Sequence, residues 1–180
     1  GVVLANGSMS SNTSGEGDIR KAMIQGDTVE IMISLPSNLF FNVTIPVCLW
    51  FLTNDKTKNG RDRCNETLFI DARNLGVMET RILKVLTDED IKKIADTAST
   101  WRKGEGYVDI EGFSKSSTTK EIEKNNFVLT PGRYVDFKDE EINRIDFDEK
   151  IGLLTDEYFS LLSQSKEIDK KIDISLSKVL

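Results

Sequence analysis

Residues 29–52 read VEIMISLPSNLFFNVTIPVCLWFL, and this stretch decides the fold. Two apolar runs, 29–35 and 46–52, each have the length of a buried strand, and a polar-flanked loop, 36–44, separates them. Two prolines and two asparagines interrupt the stretch, so it does not have the pattern of a membrane-spanning helix. The stretch predicts two strands of one sheet.

The residues on either side continue the same sheet. The short apolar run Val2–Ala5 is typical of a buried parallel strand. Asp18 is a suitable N-cap for a helix that ends at Gly26, and 67–72 is another apolar run of strand length. The order strand, helix, strand, loop, strand, strand predicts the tail of an open α/β sheet that ends in an antiparallel hairpin.

The first of these strands has no visible predecessor with which it could pair. The chain also begins with Gly1 rather than Met, and this residue already leads into the apolar run. We therefore expect the chain to be a piece of a longer protein.

The second half of the chain is more helical. Thr87 is expected to cap a helix whose first turn carries three carboxylates, which favour the positive end of the helix dipole. An irregular stretch and a short helix near 119–124 follow, and from about Asp139 the tail is strongly helical. Apolar residues of the tail recur at a spacing near 3.5, which is typical of a coiled-coil seam. The seam residues are Ile151, Leu154, Tyr158, Leu161, Ile168 and Ile172.

The seam has two interpretations. It either packs back onto its own domain or docks on the helices of a partner protein. Its length relative to the small core favours docking.

The composition excludes several kinds of active site. The chain has no histidine, which excludes serine-hydrolase triads and histidine metal sites. Cys48 and Cys64 lack the spacing of metal ligands and are interpreted as a core residue and a loop thiol. The net charge of −6 argues against this chain as the main DNA-contacting surface. No signal peptide is visible, which favours a cytoplasmic location.

Three pairs of segments, in this order and spacing, carry a family resemblance. The first pair is VLANGSMS at 3–10 and GEGDIRK at 15–21. The second is LPSNLFFN at 35–42 and IPVCLW at 45–50, and the third is FIDAR at 69–73 and LTPGRY at 129–134. Together they resemble the modification (M) subunit of type I restriction-modification systems, over residues 1 to about 135.

This resemblance implies a fold and three regions. Residues 1–75 would be the C-terminal part of a Rossmann-like methyltransferase sheet, an α/β fold. By the resemblance, its last three strands are Val2–Ala5, Val29–Ser34 and Val47–Leu52, and the last of these is antiparallel. Residues 76–138 would be a mixed helical and irregular extension, and residues 139–180 a coiled-coil-like helical tail.

The resemblance also implies an activity and partners for the full-length protein. Such enzymes use S-adenosylmethionine to methylate the N6 amine of an adenine that is flipped out of the duplex. The implied partners are a specificity (S) subunit, a second M subunit, a restriction (R) subunit in the full complex, and double-stranded DNA.

The sequence departs from the family pattern at the catalytic motif. Asn-Pro-Pro and Asp-Pro-Pro do not occur, because the three prolines are never adjacent, and no Gly-rich strand-to-helix turn suits the cofactor. We expect both motifs upstream of Gly1. The chain alone is therefore expected to be inactive, with no catalytic, cofactor-binding or metal-binding residues of its own.

Two phenylalanines of the loop 36–44 are candidates for contact with the target base. In the family that the chain resembles, an aromatic residue in this loop packs on the flipped base, and stacking stabilises a flipped adenine. We assign this role to Phe40 and Phe41, with Phe40 favoured. The alternative is that both rings fill the core beneath the loop.

A second candidate region follows the first strand. Open α/β sheets bind ligands at the carboxyl end of their strands, so Asn6, Ser8 and the loop to Gly17 are expected to face DNA. Arg20 and Lys21, which open the next helix, are candidate phosphate contacts. The alternative is a solvated connection with solvated cations.

Two other functions stay open on the sequence alone. One is a non-catalytic helical docking module on an α/β platform, and the other is a different Rossmann-like enzyme whose active half lies elsewhere. An Asn/Asp-Pro-Pro-aromatic motif upstream of Gly1 would distinguish the methyltransferase from both.

Overall fold

The computed structural model describes residues 1–41, 44–135 and 144–176. Three ranges lie outside the described residues: 42–43, 136–143 and 177–180. The predicted start of the tail at Asp139 falls in the second of them. The chain divides into two compact units, Gly1–Phe137 and Lys138–Leu180.

The first unit contains seven described strands and three α-helices. The strands are β1 Val2–Ala5, β2 Val29–Ser34, β3 Val47–Leu52, β4 Glu66–Asp71, β5 Val77–Met78, β6 Lys84–Val85 and β7 Ser114–Thr118. The helices are α1 Glu16–Gln25, α2 Asp88–Lys103 and α3 Thr119–Lys124.

Five of the strands form one mixed sheet in the order β1-β3-β2-β4-β7. The pairs β1–β3, β3–β2 and β4–β7 are antiparallel, and β2–β4 is parallel. Because β3 is antiparallel to both β1 and β2, these two strands run in the same direction. Since β4 is parallel to β2, all three strands end at the same edge of the sheet. We call this edge the carboxyl edge.

Two of the sequence expectations about this sheet are wrong. The sheet does not end in a hairpin of its last two strands, because β4 crosses over to lie beside β2. The side chains of β4 are buried on both faces of the sheet, so the strand is stable only between two others. The run Val2–Ala5 is not buried but forms an edge strand, with Val3 51% exposed.

The sheet is covered on both faces. On one face Met32, Trp50 and Phe69 pack with Ile24 of α1 and with Tyr134. On the other face the apolar residues of β2 and β4 pack against Trp101 of α2, which is fully buried. The apolar layers on the two faces of the sheet therefore form the core of the unit.

Local signals set the helix ends. Thr87 accepts a hydrogen bond from the backbone of Asp90, whose carboxylate in turn accepts from Thr87, so α2 starts with the expected cap. In α1 the cap position is Gly15, which is left-handed, and Asp18 lies in the first turn rather than at the predicted N-cap. A left-handed N-cap suits glycine because it has no Cβ.

The second unit contains one long helix, α4, from Arg144 to Leu176. Its 33 residues give it a length of about 50 Å. The six seam residues named above are all exposed, from 48% at Ile151 to 60% at Tyr158. Among the described residues, no helix has the length and apolarity needed to cross a membrane.

Candidate functional site

The carboxyl edge gathers segments that are distant in the sequence. The turn Asn6–Met9 follows β1, the loop that begins at Leu35 follows β2, and Arg73 lies two residues beyond the end of β4. The turn Pro131–Arg133 joins them, because a Cβ on Gly132 would lie 2.7 Å from Nη2 of Arg73. Parts of all three segment pairs that carry the resemblance therefore meet at one edge.

Ser8 is turned towards the sheet rather than away from it. The indole Nε1 of Trp50 donates to the Ser8 hydroxyl at 3.1 Å, and Cys48 Sγ lies 3.4 Å from the same oxygen. These contacts fix the turn after β1 on the neighbouring strand β3. Asn6 is half-buried, and its Oδ1 is enclosed without a hydrogen-bond partner among the described residues.

Arg20 is buried and holds the loop after β1. Its guanidinium donates to the carbonyl oxygens of Phe127 at 3.2 Å and Ser8 at 3.4 Å, to the carbonyl of Ser11, and to Oδ1 of Asn12 at 2.9 Å. Only 2% of the residue is exposed, and this burial lowers the pKa of Arg20. Its donors are thus directed inward, to oxygens of its own chain.

Lys21, the next residue, is exposed. Its ammonium group lies 5.6 Å from the centre of the Phe127 ring, at the distance of a cation–π contact. Of the two predicted phosphate contacts, the structure leaves Lys21 at the surface and encloses Arg20.

The loop after β2 presents its phenylalanines to solvent. Leu39 packs on the core, and the carbonyl of Asn38 accepts from the backbone N–H of Lys84 at 2.8 Å. These two anchors precede Phe40 and Phe41, which are 45% and 74% exposed. The two rings therefore do not fill the core beneath the loop.

An ion pair closes the end of β4. Arg73 donates to the Asp71 carboxylate at 2.6 Å, and this bond raises the pKa of Arg73. Asp71 is nearly buried, whereas the Arg73 side chain is 44% exposed. The nearly buried Asp71 thus holds the Arg73 guanidinium in place at the surface of the carboxyl edge.

The segment 127–135 packs on the face of the sheet that α1 also covers. The ring of Tyr134 stacks on that of Phe69, with centroids 3.8 Å apart, and its hydroxyl donates to the carbonyl of Val128. The backbone N–H of Leu129 donates to the carbonyl of Met9 at 2.8 Å. This segment therefore joins β4 to the turn after β1.

Two features were missed by sequence reasoning. A charged cluster lies at the opposite edge, where Glu30 contacts Arg102 at 2.7 Å and Arg63 at 3.3 Å. Glu30 stands inside an apolar strand, and this was the signal available for a buried ion pair. The second is a hairpin formed by β5 and β6, which rests on the loop after β2 through Lys84.

The described residues contain no group of three or more Asp, Glu, Cys or His side chains arranged to hold a metal ion.

Comparisons with known proteins agree with the resemblance. The family model of N-6 DNA methylases matches residues 1–143. The methylase subunit of the type I restriction enzyme HindI of Haemophilus influenzae is 47% identical over 97% of this chain. The methylase subunit of the type I restriction enzyme MjaIX of Methanocaldococcus jannaschii is 40% identical over 96% of it. The chain spans only 38% and 30% of the lengths of these two relatives.

Solved structures show the same fold. The methyltransferase subunit of a type I restriction-modification system from Streptococcus thermophilus superposes with a TM-score of 0.62 at 30% identity, over 74% of this chain and 26% of that one. The M protein of the type I restriction enzyme EcoKI gives a TM-score of 0.57 at 13% identity, over 77% of this chain and 34% of that one, and supports the fold alone. The chain thus belongs to the N-6 DNA methylase family, among the methylase subunits of type I restriction enzymes.

Proposed function

We propose that the chain is the C-terminal part of a DNA adenine-N6 methyltransferase subunit that works with S-adenosylmethionine. The observation that carries this proposal is the family match over residues 1–143, together with the meeting of the family's segments at the carboxyl edge. Membership of a methylase family does not favour the non-catalytic docking module.

The residues of this chain do not fit the cofactor. Among the described residues, no strand-to-helix connection forms the Gly-rich turn that would hold such a ligand. In the turn after β1, Trp50 and Arg20 donate hydrogen bonds to Ser8 and occupy the space beside it. The sequence also lacks the Asn/Asp-Pro-Pro motif that would hold the adenine amine. No step of methyl transfer is therefore assigned to the residues of this chain.

The role proposed for the carboxyl edge is contact with the flipped adenine and its duplex. Phe40 and Phe41 are exposed on a loop whose base is anchored, which is the arrangement that a stacking platform needs. Stacking on one aromatic ring stabilises a base by about 1–3 kcal/mol. Asn6 and Lys21 complete the DNA-facing set, with Ser8 and Arg20 holding the loop from within.

The role proposed for α4 is docking. A helix of this length whose apolar seam is exposed gains stability when a partner buries that seam. Helices of an S subunit are the partners proposed, with a second M subunit and an R subunit in the complete assembly. Sequence recognition then belongs to the S subunit.

The test is methylation by the full-length protein. The gene that encodes these residues is expressed with its S subunit, and duplex DNA is incubated with labelled S-adenosylmethionine. The digested DNA is expected to contain N6-methyladenine, whereas the 180-residue chain alone should incorporate no methyl groups. Absence of N6-methyladenine from an assembled complex that binds DNA would refute the proposal.

A further inference from the structure

The hairpin of β5 and β6 exposes apolar side chains beside the loop of Phe40. Met78 pairs with Lys84 across the hairpin, and Lys84 also donates to Asn38 of that loop. Val77, Met78 and Ile82 are 55%, 48% and 56% exposed. These side chains do not stabilise the hairpin, because they are not packed against the described part of the unit. An exposed group of apolar side chains on so small an element is typical of an interaction surface.

The tip of the hairpin is ordered by its own hydrogen bonds. The hydroxyl of Thr80 accepts from the backbone N–H groups of Ile82 and Leu83, at 3.3 and 3.0 Å. The backbone N–H of Glu79 donates to the carbonyl of Leu83 at 3.0 Å. Arg81 and Ile82 are therefore presented at the outermost turn in a fixed arrangement.

The base of the hairpin is equally fixed. Gly76 has a φ of +84°, and a Cβ there would lie 2.8 Å from the carbonyl oxygen of Val85. Its N–H donates to the Asp90 carboxylate of the α2 cap at 3.1 Å. The hairpin is thus joined to a helix end on one side and to the Phe40 loop on the other.

The tip of the hairpin fits a polyanion. Within the hairpin, two cations, Arg81 and Lys84, accompany a single carboxylate, Glu79, and Arg81 is exposed at the tip, although the whole chain carries a net charge of −6. A cation next to an apolar side chain suits a DNA groove, where phosphates line the rim and apolar side chains lie against bases and sugars.

We infer that the hairpin Val77–Val85 contacts double-stranded DNA beside the flipped base. Arg81 contacts a backbone phosphate, and Ile82 lies in the adjoining groove. This inference rests on the proposed function and adds a DNA-contacting element to it.

The test measures DNA affinity of the full-length methylase assembled with its S subunit, over a range of salt concentrations. The variants are Arg81→Gln and Ile82→Ser. The matched controls are Lys120→Gln and Leu52→Ser, two exposed residues at the opposite edge of the sheet.

Arg81→Gln is expected to weaken binding and to lower the slope of log affinity against log salt by about 0.9, the contribution of one phosphate contact. Ile82→Ser should weaken binding several-fold without changing that slope, because it removes no charge. The two controls should bind as the wild type does.

Two results would overturn the inference. In one, both hairpin variants bind DNA with the affinity and salt slope of the wild type. In the other, they prevent assembly with the S subunit, which would make the hairpin a protein interface. If the wild-type complex methylates DNA in either case, only this inference fails and the proposed function stands.

Discussion

The ring of Tyr134 lies flat on the ring of Phe69, with centroids 3.8 Å apart and planes within 6°. Phe69 is at the centre of β4, and Tyr134 is at the end of the segment that began with Leu129. This stack and the bond from the Tyr134 hydroxyl to Val128 fasten the segment to the sheet. Burial raises the pKa of Tyr134 above its usual range, so the hydroxyl remains a donor in alkaline as well as in neutral solution.

Tyr134→Ala is expected to destabilise the chain by about 3–5 kcal/mol, the range for removal of a large buried aromatic side chain. Tyr134→Phe keeps the stack and removes only the hydroxyl bond, so its cost is expected to be about 1–3 kcal/mol. Urea unfolding followed by tryptophan fluorescence measures both. Equal losses for the two variants would show that the stack does not stabilise the chain.

Arg20 is expected to be a stability residue rather than a DNA contact. Arg20→Met leaves four partly buried oxygens without their donor, and we expect a loss of about 3 kcal/mol in unfolding free energy. Lys21→Met is the matched control, and its cost should stay within about 1 kcal/mol because this side chain is exposed. If the two variants were equally stable, the loop would not depend on Arg20.

Glu30 should make the stability of the chain sensitive to acid. Burial alone would raise the pKa of Glu30, but hydrogen bonds and charges from Arg102 and Arg63 outweigh it and lower that pKa. The folded pKa lies below the unfolded value of about 4.3, so this stabilisation is complete above that pH and is lost as the pH falls through the folded pKa.

Glu30→Gln is therefore expected to cost about 3–5 kcal/mol at neutral pH, because it leaves the buried guanidinium of Arg63 and the partly exposed one of Arg102 without their carboxylate. The variant should also lose less stability than the wild type on acidification below about pH 4.3. Unfolding curves at several pH values measure this, with Glu123→Gln as a control for the loss of one exposed carboxylate. Parallel pH profiles for Glu30→Gln and the wild type would contradict the assignment.

The seam of α4 gives a prediction about assembly. Leu154→Ala, in the seam, is expected to weaken binding of the full-length protein to its S subunit by about 2–5 kcal/mol, if the leucine becomes buried there. Leu153→Ala is a matched control, because Leu153 is 71% exposed and lies one residue outside the seam. Calorimetry measures both, and equal affinities would show that the seam is not the docking surface.

Strands β1 to β4 were predictable because each is a short apolar run between turn residues, whereas β5 and β6 have only two residues each and β7 is polar, and none of these three was predicted. The prediction that β3 is antiparallel to its neighbours, which the family resemblance supplied, is confirmed. What the runs did not reveal is their neighbours. An apolar run such as Val2–Ala5 has the same pattern at the edge of a sheet as at its centre, and only the pairing of strands distinguishes the two.

The candidate site was predictable in position but not in orientation. Loops at the carboxyl ends of strands follow from the strand order, and Asn6 and Phe40 do lie there. Whether a side chain points outward depends on partners far away in sequence. Arg20 is turned inward by the carbonyl of Phe127, 107 residues later, and no local pattern carries that contact.

The most direct test of the carboxyl edge as the target-base site is single-turnover methylation by the full-length complex carrying Phe40→Ala or Phe41→Ala. We predict that Phe40→Ala lowers the rate constant about 5- to 150-fold, which corresponds to the loss of about 1–3 kcal/mol of base stacking. Phe41→Ala should have a smaller effect, and both variants should retain their affinity for DNA. Wild-type rate constants for both variants would contradict the account, because neither ring would then contact the flipped adenine.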